Sequence, residues 1–144
     1  MTERLHLVCP HCRSVNRVPA AHLAERPNCG QCHASLFTGH PIALTAADFD
    51  LHAQRAEIPL VVDFWAPWCG PCRMMAPAYE QAAQMLEPQV RLAKVNTEEE
   101  QSLAARFGIV SIPTLIVFRG GREVARQPGA LGQENIVRWV RSHI

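Results

Sequence analysis

The amino-acid sequence predicts an α/β protein: a central mixed sheet flanked by helices, preceded by a small cysteine-rich module. Three observations carry this. From residue 42 onward, strand-like and helix-like patterns alternate in the order βαβαβαββα, the order of a mixed sheet with helices on both sides. Leu60-Val61-Val62-Asp63-Phe64-Trp65 is almost unbroken apolar sequence, as expected of a strand buried on both faces among parallel neighbours. Residues 9–32 are rich in Cys, His, Pro and Asn and lack apolar periodicity, so that segment needs something other than a core to hold it. The 144 residues fit one ordinary domain plus such an appendage.

Thr38-Gly39-His40-Pro41 reads as a turn and places the boundary between a module of residues 1–38 and a domain of residues 39–144. Ile42 to Leu44 is a short strand. Thr45 can cap a helix over 46–55, with Asp48 in its first turn. After the strand at 60–65 a helix is predicted from Cys69 to Leu86, with Pro77 bending it. Val90 to Asn96 is the next strand, and Glu99 to Phe107 a helix closed by Gly108. Leu115–Phe118 and Glu123–Gln127 flank Arg119-Gly120-Gly121-Arg122, a hairpin signal. Ile136, Trp139, Val140 and Ile144 supply the apolar face of a last helix.

Composition narrows the function. Hydrophobic residues make up 48% and charged residues 19%, which suits a packed core. A net charge of +1 exerts no global pull toward nucleic acid or anionic membrane. No apolar run approaches the roughly 20 residues of a membrane span. The first residues lack the apolar stretch and cleavage site of a signal peptide, so a cytoplasmic protein is expected. In a reducing compartment six cysteines point to metal ligation or redox catalysis rather than structural disulfides.

Trp68-Cys69-Gly70-Pro71-Cys72 follows the buried strand and opens a helix. A cysteine at a helix N-terminus faces unpaired N–H groups and the positive end of the macrodipole, which favour its thiolate. Two intervening residues bring the second sulfur one turn on, close enough for a disulfide. Pro71 lacks an N–H that the first turn would leave unpaired. Cys69 can then attack a disulfide and Cys72 resolve the mixed disulfide. A bare Cys-x-x-Cys also suits a metal pair; the strand before, the helix after and the Gly-Pro between favour redox chemistry. Asp63 interrupts the apolar run, and a carboxylate in a buried strand is costly unless paired or protonated. Lys94, the only lysine among 14 basic residues, lies in a strand of the same sheet.

The stretch Asp63-Phe64-Trp65-Ala66-Pro67-Trp68-Cys69-Gly70-Pro71-Cys72 resembles the active-site segment of the thioredoxin family, and Ser111-Ile112-Pro113-Thr114 resembles its second active-site loop. The resemblance covers residues 42–144 and implies the thioredoxin fold. It also implies reduction of protein disulfides and recycling by an NADPH-dependent thioredoxin reductase. It assigns Asp63 as a proton shuttle behind Cys72, Lys94 as its tuning partner, and a cis bond before Pro113. Through it, Trp68, Gly70, Pro71, Ile112, Pro113 and Gly129 become the substrate-docking surface, with disulfide-containing proteins as partners.

Cys9-Pro10-His11-Cys12 and Cys29-Gly30-Gln31-Cys32 are two knuckles separated by 16 residues, the spacing of a four-cysteine zinc site. Two disulfides or an iron–sulfur centre are the rivals. His11 and His33 adjoin the ligands but are read as bystanders. Cys9, Cys12, Cys29 and Cys32 on a thioredoxin-like domain resemble the zinc-containing bacterial thioredoxins of the second type, which implies a role beside a main thioredoxin, under oxidative stress. The competing class is a binding module in which the zinc ribbon docks nucleic acid or protein. Residues 1–40 offer only four Arg, no Lys and one aromatic, Phe37, so nucleic acid is not expected as a partner. A monomer is expected.

Overall fold

A computed structural model of the chain describes residues 3–144. Arg4–Val8 (β1) and Val15–Pro19 (β2) pair as an antiparallel hairpin, with Leu5 opposite Val18 and Val8 opposite Val15. A 3-10 turn, Ala20–Glu25, follows. The absence of periodicity predicts loops across 9–32, so the second strand and this turn correct that reading. β2 is only five residues long and Asn16 and Arg17 interrupt its apolar alternation, leaving no sequence signal.

Ile42–Ala43 (β3), Leu60–Trp65 (β4), Arg91–Asn96 (β5), Thr114–Arg119 (β6) and Arg122–Pro128 (β7) form a five-stranded sheet in the order β3-β5-β4-β6-β7. β3 and β4 run parallel to β5; β6 is antiparallel to β4, and β7 to β6. Three α-helices accompany it: Gly70–Leu86 (α1), Gln101–Arg106 (α2) and Gln133–Arg141 (α3). This is the mixed sheet with flanking helices that the sequence predicts. On one face, Tyr79, Ala82 and Leu86 of α1 and Ile136, Val137 and Val140 of α3 pack on Val61, Leu92 and Leu115. On the other, Phe49, Ala53 and Leu103 cover Val62, Phe64 and Ile116. Residues of β4 therefore alternate between two cores, which is why the strand is apolar without a break.

Several boundaries move. The helix expected at 46–55 becomes a turn followed by a π-helical stretch, Leu51–Arg55. Thr45 still caps its start: its hydroxyl accepts from Ala47 N–H at 3.2 Å, and the Asp48 carboxylate accepts from Thr45 N–H at 2.8 Å. α2 is shorter than predicted, and Gly108 follows it at φ +60°. Ile144 lies beyond α3 and is 39% exposed; Val137 takes the core position expected of it. The hairpin at 119–122 turns through Gly120 and Gly121 at φ +58° and +80°, which side chains with a Cβ resist.

The N-terminal hairpin does not close its own core. Leu7, Val18, Leu36 and Phe37 form one apolar cluster with Ile58, which leads into β4. The first residue of β5, Arg91, is buried in this junction: its guanidinium lies 4.4 Å over the Phe37 ring and donates to the Val8 carbonyl at 3.2 Å. Burial pulls the Arg91 pKa down to about 10, and Glu87 opposes that shift, so the cation persists at neutral pH. Glu87 in turn accepts from the Gly39 N–H at 3.0 Å. At the rim, Glu57 N–H donates to the His6 carbonyl at 2.8 Å, and Arg13 faces Asp48 at 3.5 Å. Residues 39–144, expressed alone, are expected to keep the five-stranded sheet. They should lose about 2 kcal/mol through exposure of Ile58 alone. Urea unfolding followed by tryptophan fluorescence measures this, and an unchanged midpoint would show that the junction contributes nothing.

Candidate active site and metal centre

β4 ends at Trp65 and the chain turns into α1, so the residues between lie where strand carbonyls and helix N–H groups both run out. Cys69 occupies the N-cap of α1, and its sulfur accepts from the Cys72 N–H at 3.2 Å. Pro71 sits in the first turn, where its missing N–H costs nothing. Cys69 and Cys72 are joined as a disulfide with their Cα atoms 5.3 Å apart. A helix-start position is expected to expose the sulfur of Cys69. The structure corrects that: Cys69 is 4% exposed and Cys72 3%, so exposure does not separate them. Their surroundings do. Cys69 Sγ lies 3.8 Å from the Ile112 carbonyl, on the second loop. Cys72 lines a cavity of about 110 Å³ on the other side, together with Asp63, Trp65, Tyr79 and Lys94.

The Ile112–Pro113 bond is cis. Ile112 is half-buried against the cysteine pair and Pro113 is buried. Gly129 donates its N–H to the Pro113 carbonyl at 2.9 Å and has φ +93°. A Cβ there would meet nothing, so the exposed face beside the loop is open to an approaching chain. Trp68 is 70% exposed beside the disulfide, and Gly70 is exposed. Two further exposed apolar side chains were not singled out by sequence: Met74, two residues past Cys72, and Val110, two before Ile112. Nothing in the pattern distinguishes them from core residues; only their exposure does.

Asp63 is 5% exposed and pairs in register with Lys94 across the parallel β4–β5 ladder. Burial pushes its carboxyl up to about 7, against the pull of the Lys94 ammonium. Its Oδ1 has no hydrogen-bond partner among the described residues. The Lys94 ammonium lies 5.7 Å from the centre of the Trp65 ring. Tyr79, absent from the sequence reading, is the third polar group here. Its hydroxyl lies 2.7 Å from the Ala93 carbonyl and 3.1 Å from the Val61 carbonyl, tying α1 to both strands beside Asp63. Its spacing of seven residues from Cys72 puts both on one helical face, the one signal the sequence held.

In the N-terminal module the four sulfurs of Cys9, Cys12, Cys29 and Cys32 lie within 4.8 Å of one another. Cys9 and Cys32 are 3.6 Å apart, and Cys12 and Cys29 3.5 Å. A tetrahedral site with metal–sulfur bonds near 2.3 Å needs about 3.8 Å between sulfurs, so the cluster fits a four-thiolate metal ion. Backbone N–H groups of His11 and Gln31 point at Cys9 and Cys29, as metal thiolates require. His11 and His33 are not part of the cluster.

Residues 40–142 match the sequence model of the thioredoxin family, and residues 8–34 match that of the thioredoxin 2 N-terminal region, a zinc ribbon. Thioredoxin C-3 of Corynebacterium nephridii is 43% identical over 134 residues, covering 93% of this chain and 92% of that protein. Thioredoxin 1 of Synechococcus elongatus is 44% identical over 102 residues, 71% of this chain and 95% of its own length. Thioredoxin of Haemophilus influenzae is 41% identical over 98 residues, 68% of this chain and 92% of its own length. The chain therefore belongs to the thioredoxin family, protein-disulfide oxidoreductases that act by dithiol–disulfide exchange, and carries an added N-terminal zinc-ribbon domain.

Proposed function

We propose that this chain is a cytoplasmic, monomeric protein-disulfide reductase whose reacting pair is Cys69 and Cys72. The observation that carries the reading is the different surroundings of the two sulfurs: Cys69 at the helix cap beside Ile112, Cys72 on the cavity that holds Asp63. In the reduced protein the Cys69 thiolate attacks one sulfur of a substrate disulfide, and the other leaves as a thiolate. Asp63 takes the proton of Cys72, whose thiolate then attacks the Cys69 sulfur of the mixed disulfide. The 69–72 disulfide forms and the second substrate thiolate is released, so two electrons pass from enzyme to substrate. Lys94 stabilises the carboxylate form of Asp63. Trp68, Gly70, Pro71, Ile112, Pro113 and Gly129 form the surface on which an extended substrate segment docks. NADPH, acting through a thioredoxin reductase, returns the electrons. Oxidative stress is the setting that the added ribbon suggests. Among the described residues no helix is long and apolar enough to cross a membrane.

In this reading residues 1–38 are a separate module whose Cys9, Cys12, Cys29 and Cys32 hold one zinc ion. The ion supplies the cross-link that a hairpin without its own core lacks. Four thiolates close the tetrahedron and leave no position for substrate, so residues 39–144 carry the chemistry.

Insulin reduction driven by NADPH and a thioredoxin reductase tests the function; a chain that binds but does not turn over would overturn it. Cys69→Ser is expected to abolish turnover, and Cys72→Ser to accumulate mixed disulfides on Cys69, visible on non-reducing gels. Trapping on Cys72 instead would reverse the two roles. Asp63 binds a proton more tightly folded than unfolded, so its contribution to stability is full below its ordinary pKa of 3.8 and is lost as pH rises through about 7. Asp63→Asn is expected to flatten that pH dependence of unfolding, to be the more stable protein above pH 7, and to slow turnover. A variant with an unchanged pH–rate profile would exclude Asp63 as the proton acceptor. Elemental analysis should find one zinc per chain, lost in Cys9→Ser/Cys12→Ser, while disulfide reduction persists.

A further inference from the structure

The two knuckles of the N-terminal module are built alike. Cys9 N–H donates to the Ser14 carbonyl at 2.9 Å, and Cys29 N–H to the Ala34 carbonyl at 2.8 Å. Arg13 N–H returns to the Cys9 carbonyl at 3.0 Å, and His33 N–H to the Cys29 carbonyl at 2.9 Å. Arg13 and His33 both have φ +67°. In each knuckle the first cysteine is buried, Cys9 and Cys29, and the second is exposed, Cys12 and Cys32. Cys12 and Cys32 thus hold equivalent, solvent-exposed positions in the two knuckles.

One atom breaks the equivalence. Ser14 Oγ lies 2.9 Å from Cys12 Sγ and 3.1 Å from Cys29 Sγ. Residue 34, at the matching position, is alanine and offers no hydroxyl. The hydroxyl has one proton to donate; directed at the nearer sulfur, Cys12, it withdraws charge from that thiolate and weakens it as a nucleophile. Cys29 accepts from the Gln31 N–H at 3.3 Å and the Asn16 amide at 3.5 Å, and it is buried. Cys9 is buried and takes the His11 and Cys12 N–H groups. Cys32 alone combines exposure with the absence of a side-chain donor.

We infer that Cys32 is the modification site of the module: the ligand that soft, uncharged electrophiles of the α,β-unsaturated carbonyl class attack first, while Ser14 shields Cys12. The Cys32 sulfur forms a bond to the β-carbon of the electrophile. The electron pair of the C=C bond moves to the α-carbon, which takes a proton from water. The product is a neutral thioether, a poor ligand, so modification at Cys32 is also the step that loosens the metal. The inference rests on the zinc reading above.

The test uses the full-length, zinc-loaded protein with Cys69 and Cys72 kept as the disulfide, so that only the four ligands can react. A limiting amount of N-ethylmaleimide is added; adducts are located by peptide mass spectrometry and zinc release is followed with a chromogenic chelator. Cys32 should be labelled about tenfold faster than Cys12, the scale of one hydrogen bond to a charged group. Ser14→Ala should bring Cys12 up to the rate of Cys32, and Ala34→Ser should slow Cys32 and the zinc release with it. Equal labelling of Cys12 and Cys32 in the parent protein, or a ratio untouched by either substitution, overturns the inference and leaves the zinc reading standing. Purified protein without zinc overturns both.

Discussion

A carboxylate placed inside the sheet organises this molecule. Asp63 sits in the central strand, between two cores, where an ionised group without compensation is unstable. What surrounds it follows from that cost. Lys94 stands in register on β5, the Tyr79 hydroxyl holds the adjacent strand carbonyls, and a small cavity opens toward Cys72. Burial alone carries the Asp63 pKa into the neutral range, where a carboxyl can both take and return a proton. The cysteine pair lies at the end of the same strand because the strand-to-helix turn provides a free helix N-terminus there. The buried carboxyl and the cysteine pair therefore sit on one continuous element, β4 with the helix that follows it.

The N-terminal module solves a different problem. Two five-residue strands and a 3-10 turn bury too little to stand alone, and their cluster is completed from outside by Ile58. Arg91 is buried at the junction by stacking on Phe37 and by the Val8 carbonyl, and nearby Glu87, whose charge favours that cation, accepts from the Gly39 N–H. A buried guanidinium is costly to leave unpaired, and at this junction the Phe37 ring and the Val8 carbonyl of the module are its partners. Because Arg91 begins the strand that carries Lys94, the junction and the Asp63 pair share β5.

Much of this was legible in the sequence. The apolar run 60–65, the Cys-x-x-Cys opening a helix, and the two spaced knuckles each state a local physical requirement. They imply burial on both faces, a thiolate at a helix cap, and a tetrahedral set of sulfurs. Asp63 announced itself as a polar residue where burial forbids one. The hairpin at 119–122 was legible because its turn demands left-handed backbone that glycine provides. Tyr79, Met74, Val110, Arg91 and Ser14 were not, since each looks ordinary for its place in the pattern. A tyrosine on a core-facing helix signals at most that it shares a face with Cys72, and an arginine at a strand start and a serine after a cysteine carry no signal of what they touch.

What the sequence determined by itself, then, are the properties that depend on neighbours along the chain: strand and helix periods, caps, turns and ligand spacing. The tertiary structure alone decided which distant groups meet. It brought Asp63 into register with Lys94, Ile112 against Cys69, Arg91 under Phe37, and Ser14 between two sulfurs from different knuckles. Such meetings depend on strand order and packing, which the periodicity of a chain does not encode, and the energy of each is set by burial that exists only after folding.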